Sequence, residues 1–365
     1  MGQYNDTTPS TSNTSFGILK SVIVGRESKF SKVQSDFTFK HFYQPALNQE
    51  IYDNKLKYTV SHELCQQRNE ELDKMASIFT KLGIEVYRPE EYTKPTKFIT
   101  PEYGPEIVSP ANNVRDISFI YNNHIIETPT FVRDRYFENA QLEPIFKKEW
   151  IKSNYQLKWV KAPHQILDKD HLDLEHWSKP RDFFNIEDKG FNWSMAIDGA
   201  QFLRIGRDVI VNITSYNHWM GLQWIKSFFP QTNFWIISLV DNHIDGLIHC
   251  LKPGTFLVNP HYKDIIKGVL PDKFRNWEFL SPEKSNRREI SGASLASIDG
   301  MDLNVLSLSD ELVAVKSDAY NVIRLLEKNK IDVVPIELNH CELFGGGIHC
   351  STLDLIRKDE YQYYV

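Results

Sequence analysis

The chain has 365 residues, of which 41% are hydrophobic and 25% charged, with a formal net charge of -6. These totals are those of an ordinary soluble globular protein, and the acidic balance argues against nucleic acid or an anionic membrane as the main partner. No apolar run approaches the length needed to span a bilayer. Four cysteines, Cys65, Cys250, Cys341 and Cys350, are too few for a disulfide framework in a chain this long.

In chain order, residues 1–15 are polar and rich in Thr, Ser and Asn, without a basic start and apolar core. They read as a disordered tail rather than a secretory signal, with a cytoplasmic location as the default. Residues 18–24 begin a strand, 60–82 carry a long helical pattern and 84–87 form a second strand. Residues 117–128 are an apolar run broken by Asn122-Asn123, which reads as a hairpin. The same form returns at 202–213 around Gly206-Arg207-Asp208, at 247–258 around Lys252-Pro253-Gly254 and at 303–315 around Ser309-Asp310-Glu311. Helix-like amphipathic stretches follow at 217–229 and 319–329, leading to short apolar strands at 234–239 and 333–338. Residues 164–190 fit no unit; they mix charge with Trp177, Phe183 and Phe184 and read as a surface insertion or a lid.

Five such units, the first diverged, suggest small mixed sheets closed into a ring, which avoids long exposed sheet edges. The last strand, near 351–356, would then pair with the first unit. One α/β domain over 16–365 fits this better than separate domains.

The most informative motif is Phe344-Gly345-Gly346-Gly347-Ile348-His349-Cys350. Consecutive glycines permit close approach of the main chain, and a cysteine presented after such a turn can serve as a nucleophile. A buried structural thiol beside a flexible turn is the alternative. The pairs His340-Cys341 and His349-Cys350 lack zinc-ligand spacing. Asp168-Lys169-Asp170-His171 lacks the glycine and glutamate of a calcium loop, and no phosphate loop is present. No metal or other cofactor is therefore expected. In a ring, residues just before each hairpin converge. Those positions hold Arg115-Asp116, Asp198 and His243-Ile244-Asp245, so with Cys350 they supply three carboxylates, an imidazole and a thiol. Paired carboxylates grip a guanidinium through its forked donors, while a thiol can attack its central carbon and an imidazole can handle the amine's proton. Taken singly, Arg-Asp is a common salt bridge and His-x-Asp recurs by chance.

The motifs Val114-Arg115-Asp116, Ile197-Asp198-Gly199-Ala200-Gln201, Gly206-Arg207-Asp208, His243-Ile244-Asp245, Asn259-Pro260, Asp302-Leu303-Asn304-Val305-Leu306 and the glycine run through Asp354 resemble the amidinotransferases of glycine and of inosamine phosphate. The resemblance covers 112–355. It implies a five-bladed α/β-propeller with fivefold pseudosymmetry, of the pentein type, and a homodimer for which no interface residue can be named. It casts Cys350 as nucleophile, His243 as general acid/base and Asp198 as the partner of that histidine. Asp116 and Asp245 would hold the guanidinium, and Arg115, Ser297, Tyr262, Gly346 and Gly347 would complete the substrate pocket. The implied reaction is ping-pong transfer of an amidino group from a donor, L-arginine giving L-ornithine, to a primary amine of specialised metabolism.

Several positions depart from the family's pattern. Gln201 replaces a second acid. Asn259-Pro260 is followed by His261-Tyr262 rather than Asp-Arg, so the arginine that takes the donor's carboxylate has no counterpart there. A serine pair is reduced to Ser297. The chemical core is intact, and the substrates are what these changes affect. Two other readings share the core: a hydrolase resembling arginine deiminase, and a non-catalytic binding protein for guanidino compounds.

Overall fold

The computed structural model describes residues 12–365 except 35, 45–46, 48, 54, 56, 176–191, 240–242 and 286–293. Within them lie five three-stranded sheets built to one plan. Ser118–Tyr121 and His124–Glu127 form an antiparallel hairpin, and Lys158–Lys161 lies parallel to its second strand. The pattern repeats in Phe202–Ile205, Asp208–Asn212 and Asn233–Ile237, and in Ile248–Lys252, Thr255–Val258 and Glu278–Leu280. It appears again in Leu306–Ser307, Leu312–Lys316 and Asp332–Ile336. In the remaining sheet the C-terminal strand Thr352–Lys358 runs antiparallel to Ile18–Val24, which is parallel to Glu85–Tyr87. The expected pairing of last strand with first unit is thus present.

A helix supplies each parallel crossover, as such connections require. His62–Lys81 is N-capped by Ser61, whose hydroxyl accepts from Leu64 N, and its Cys65, Leu72, Met75 and Phe79 are buried at helical spacing. Leu72, Met75 and Phe79 pack with Val22, Val24, Ile84 and Ile348 in one apolar cluster, each worth about 1.5–3 kcal/mol of burial. Turn chemistry fixes the hairpins: Asn122, Gly206 and Gly254 have φ of 51°, 67° and 83°, values open to glycine and tolerated by asparagine. At Gly206 a Cβ would also lie 2.0 Å from Gln362 O.

The segments entering successive sheets are tied to one another. Gly199 N donates to Asp116 O at 2.6 Å, Ile244 N to Ala200 O at 3.0 Å, His349 N to Asn304 O at 3.2 Å and Arg115 N to Cys350 O at 3.2 Å. Between Ile244 and Asn304, a Cβ on Gly246 would stand 3.6 Å from Gly300 Cα. Residues far apart in sequence are thereby brought together, and they include every acid singled out above.

One expectation needs correction. Residues 12–15 of the expected tail are packed into the body: Ser12 bridges Asn122 and Thr14 bridges Ile205, and all four are buried. Asp359 holds them, accepting from Asn13 N at 2.9 Å, Asn13 Nδ2 at 2.9 Å, Thr14 N at 2.7 Å and Thr14 Oγ1 at 2.9 Å. The expected insertion at 164–190 lies largely outside the described residues. The part that is described, 164–175, docks through Asn217, whose amide donates to His171 O at 2.8 Å. No helix among the described residues is long and apolar enough to cross a membrane.

Candidate active site

Cys350 lies at the end of the glycine run, just before the last strand, and only 2% of it is exposed. Gly345, with φ of 62°, terminates the helix Cys341–Phe344 in the left-handed conformation. Gly346 and Gly347 are small for a reason: a Cβ on the first would meet Asn113 Oδ1 at 2.2 Å, and on the second Asn304 Cβ at 2.7 Å. Neither position has room for a side chain.

One acid contacts the sulfur and two more meet His243. Asp245 Oδ2 accepts from Cys350 Sγ at 3.1 Å and from His349 Nδ1 at 2.9 Å. Asp198 Oδ2 lies 2.9 Å from His243 Nε2, and Asp116 Oδ1 lies 3.8 Å from His243 Nδ1. Asp116 Oδ2 is held by Arg135 Nη1 at 2.8 Å, and Arg135 is gripped by Glu138 at 2.6 Å and 3.0 Å. Asp116 Oδ1 and Asp198 Oδ1 are buried without a hydrogen-bond partner. Buried polar atoms are almost always paired, and two such acceptors on neighbouring carboxylates suit a ligand with several N–H donors.

The electrostatics follow from this crowding. Burial works to discharge His243, but the charge of Asp116 and the bond to Asp198 outweigh it and carry the imidazolium up to about 10. Asp245 is pushed up to about 6, by burial first and by Asp116 in addition, against the pull of His243. Burial, then the charges of Asp245 and Asp116, hold the Cys350 thiol well above its ordinary value. Without a cation beside it, this is a protonated thiol. The cluster meets solvent at His243, where 14% of the side chain is exposed. Phe42 packs edge-on against that imidazole with centroids 5.4 Å apart.

Of the residues expected in the site, Cys350, His243, Asp198, Asp116 and Asp245 come together. Arg115 is engaged elsewhere: its Nε donates to His349 O at 2.8 Å and its Nη2 to Asp354. Arg204 and Arg357 converge on the same carboxylate. Ser297 caps the helix Ile298–Leu303, its hydroxyl accepting from Gly300 N at 3.2 Å. Tyr262 packs against the apolar cluster containing Ile244 and Ile248, and the neighbouring His261 pairs with Asp299 at 2.7 Å. Gln201 has its own explanation. Its Oε1 accepts from Asp198 N at 2.8 Å while its Nε2 donates to Asn212 O at 2.7 Å; a carboxylate could not make the second bond.

Sequence reasoning missed Arg68, Arg135, Glu138 and Asn304. Arg68 is fully buried and reaches from the first long helix to Gly346 O at 2.9 Å, Ser351 Oγ at 2.6 Å and Asn112 Oδ1 at 3.2 Å, so it fixes both ends of the loop that carries Cys350. Asn304 stood within a quoted motif, and Arg135 with Glu138 sits one short turn beyond the first complete hairpin. The i,i+3 pair of opposite charges Arg135 and Glu138 shortly after the apolar 117–128 run was the signal available for these two. Among the described residues no group of three or more His, Cys, Asp and Glu side chains is arranged to hold a metal ion.

No family model matches the chain. Among characterised proteins, it is 26% identical over 320 residues to mitochondrial glycine amidinotransferase of Xenopus tropicalis, covering 83% of this chain and 72% of that protein. It is 26% identical over 310 residues to inosamine-phosphate amidinotransferase 1 of Streptomyces griseus, covering 82% and 84%. Among solved structures, an amidinotransferase of the saxitoxin biosynthetic pathway from Microseira wollei superposes with a TM-score of 0.80 at 25% identity, over 98% of this chain and 100% of that one. A dimethylarginine dimethylaminohydrolase shares the fold more distantly, with a TM-score of 0.56 at 9% identity over 92% and 99%.

Proposed function

We propose, from the premise that this chain belongs to the amidinotransferase family and is an enzyme of that kind, that it takes an amidino group from L-arginine. A primary amine receives the group, through a covalent intermediate on Cys350. The observation that carries this reading is the buried set of Cys350, His243 and three aspartates, with two carboxylate oxygens left unpaired.

A guanidinium seated between Asp116, Asp198 and Asp245 would satisfy those oxygens and bring positive charge beside the sulfur, which lowers the thiol toward reaction. The sulfur then bonds to the guanidino carbon and the bond from that carbon to the departing nitrogen breaks. The thiol's proton ends, in net terms, on the leaving amine, relayed by His243, and ornithine departs. An amidino thioether remains, positively charged. The incoming amine attacks the same carbon, the carbon–sulfur bond breaks, and the amine's proton returns to the sulfur. A placed imidazole contributes about 10²–10⁴-fold to such steps. The remainder falls to carboxylates already oriented for the delocalised cation.

The five like-built sheets and the bonds joining their entering segments support a five-bladed α/β-propeller with fivefold pseudosymmetry around this site. The relative from the saxitoxin pathway supports a role in specialised metabolism, and a cytoplasmic location remains part of the proposal. With Tyr262 on an apolar cluster, the donor's carboxylate would be recognised by a group other than the one the family uses.

The test is incubation with arginine, alone and with a panel of primary amines. Ornithine that forms only when an amine is present supports the reading. Citrulline and ammonia without an amine would assign hydrolysis instead, and no product from arginine would remove it as donor.

A further inference from the structure

Asn304 touches the nucleophile with both ends of its amide. Its Oδ1 accepts from Cys350 N at 3.0 Å, and its Nδ2 stands 3.1 Å from Cys350 Sγ. The two bonds settle each other: the main-chain N–H needs an acceptor, so the oxygen faces it and the donor must face the sulfur. The asparagine's carbonyl also accepts from His349 N at 3.2 Å, and its side chain lies flat against Gly347, where a methyl group would stand 2.7 Å from Asn304 Cβ. The residue is 2% exposed, so this amide is fixed before any ligand arrives.

We propose that Asn304 is a catalytic residue of the reaction set out above, whose side-chain N–H donates to the Cys350 sulfur as it becomes a thiolate and again when the thioether is cleaved. The inference rests on Cys350 being the nucleophile. Its logic is electrostatic. Each titratable group around the sulfur that carries negative charge opposes ionisation: Asp245 at hydrogen-bond distance, Asp116 beyond it, and Tyr43 were it to ionise. His349 is kept neutral by burial and by the cations Arg115 and Arg204, so it offers no charge. The cations in contact with the acids are already engaged, His243 with Asp198 and Asp116 and Arg135 with Asp116 and Glu138. A permanent dipole donor that cannot titrate is therefore what the sulfur has on its own account. An anionic acceptor strengthens such a bond. The sulfur thus gains more from Asn304 when charged than when protonated, the differential interaction that accelerates a step. In the return step the same donor stabilises the leaving thiolate, so both half-reactions draw on it.

The experiment compares the unsubstituted protein with Asn304→Asp and Asn304→Ala, following iodoacetamide alkylation of Cys350 by peptide mass spectrometry from pH 6 to 10. Asn304→Asp keeps the acceptor for Cys350 N and the shape of the side chain but puts oxygen where nitrogen was. Its alkylation should slow by tenfold or more at each pH and its profile should move to higher pH. Asn304→Ala should slow by about ten- to a hundredfold, the worth of a hydrogen bond to a charged atom. Formation of the covalent adduct from arginine should fall in step. Alkylation of Asn304→Asp at the unsubstituted rate, with an unmoved profile, would overturn the proposal and leave Asn304 a packing residue. A second readout needs no variant to fold: the Asn304 side-chain amide proton resonances of the unsubstituted protein should shift as Cys350 titrates, and unmoved resonances would also overturn it. The functional reading fails separately, if arginine leaves no amidino group on the unsubstituted protein.

Discussion

His243 is clamped between two carboxylates, with Asp198 Oδ2 2.9 Å from its Nε2 and Asp116 Oδ1 3.8 Å from its Nδ1. This holds an imidazolium where the proposed mechanism needs a proton for the departing amine. Asp198→Asn removes one of the charges and the acceptor that orients the ring. The titration of His243, followed by NMR of the imidazole nitrogens, should fall from about 10 toward its ordinary range, and turnover should drop by about 10²–10⁴-fold. A variant with unchanged turnover would remove His243 from proton transfer.

The pH dependence follows from two groups that hold protons more tightly in the folded protein. Asp245 is raised to about 6 from 3.8, chiefly by burial. Burial acts against His243, yet it is raised to about 10 from 6.5 by Asp116 and Asp198. A raised folded value stabilises the native state below the unfolded value, and that contribution is lost as pH rises through the folded one. Asp245 therefore loses its share between about 3.8 and 6, and His243 its larger share between about 6.5 and 10. The urea midpoint should decline from pH 7 to 10, and less steeply in His243→Gln. Binding runs the other way at the acid end: protonated Asp245 cannot pair with a guanidinium, so arginine affinity measured by calorimetry should weaken below about pH 6.

Gly347 presses on Asn304, so Gly347→Ala must displace the amide that contacts Cys350 Sγ. Overpacking of this kind costs about 1–3 kcal/mol, and alkylation of Cys350 should slow along with the loss of stability. Gly268→Ala is the contrast. It lies in the helix Lys263–Val269 with nothing within 4 Å of an added Cβ, and should stabilise by about 0.5–1 kcal/mol. Equal effects of the two substitutions would refute the packing argument.

Asp359 takes four hydrogen bonds from Asn13 and Thr14. Asp359→Ala leaves those donors without their acceptor and should cost about 1–3 kcal/mol, with faster proteolytic cleavage near residues 12–16. An unchanged cleavage pattern would show that the segment is held by other contacts.

This carboxylate also shows where the sequence was silent. Residues 12–15 are polar because they satisfy Asp359 and Arg204, whose Nη1 donates to Ser12 Oγ at 2.6 Å, and polarity alone reads as disorder. The hairpins were legible because Asn122, Gly206 and Gly254 mark their turns and the flanking strands are apolar. The pairing of Thr352–Lys358 with Ile18–Val24 followed from counting units. His243 and the three aspartates were legible through their places ahead of successive hairpins, and Cys350 through the glycine run that precedes it. Arg68, Arg135, Glu138 and Asn304 act on those groups from elsewhere in the chain, through bonds that exist only once the sheets have come together. Arg115 misled for the same reason: adjacency to Asp116 put it in the pocket on paper, whereas its guanidinium is taken up by His349 O and Asp354.

The most direct measurement is the intact mass of the protein after a brief pulse of arginine, with peptide mapping of the modified residue. The account predicts a mass gain of one amidino group on Cys350, discharged when a primary amine is added and absent from Cys350→Ala. An unmodified protein that nevertheless turns arginine and an amine into products, or an adduct on another residue, would contradict it.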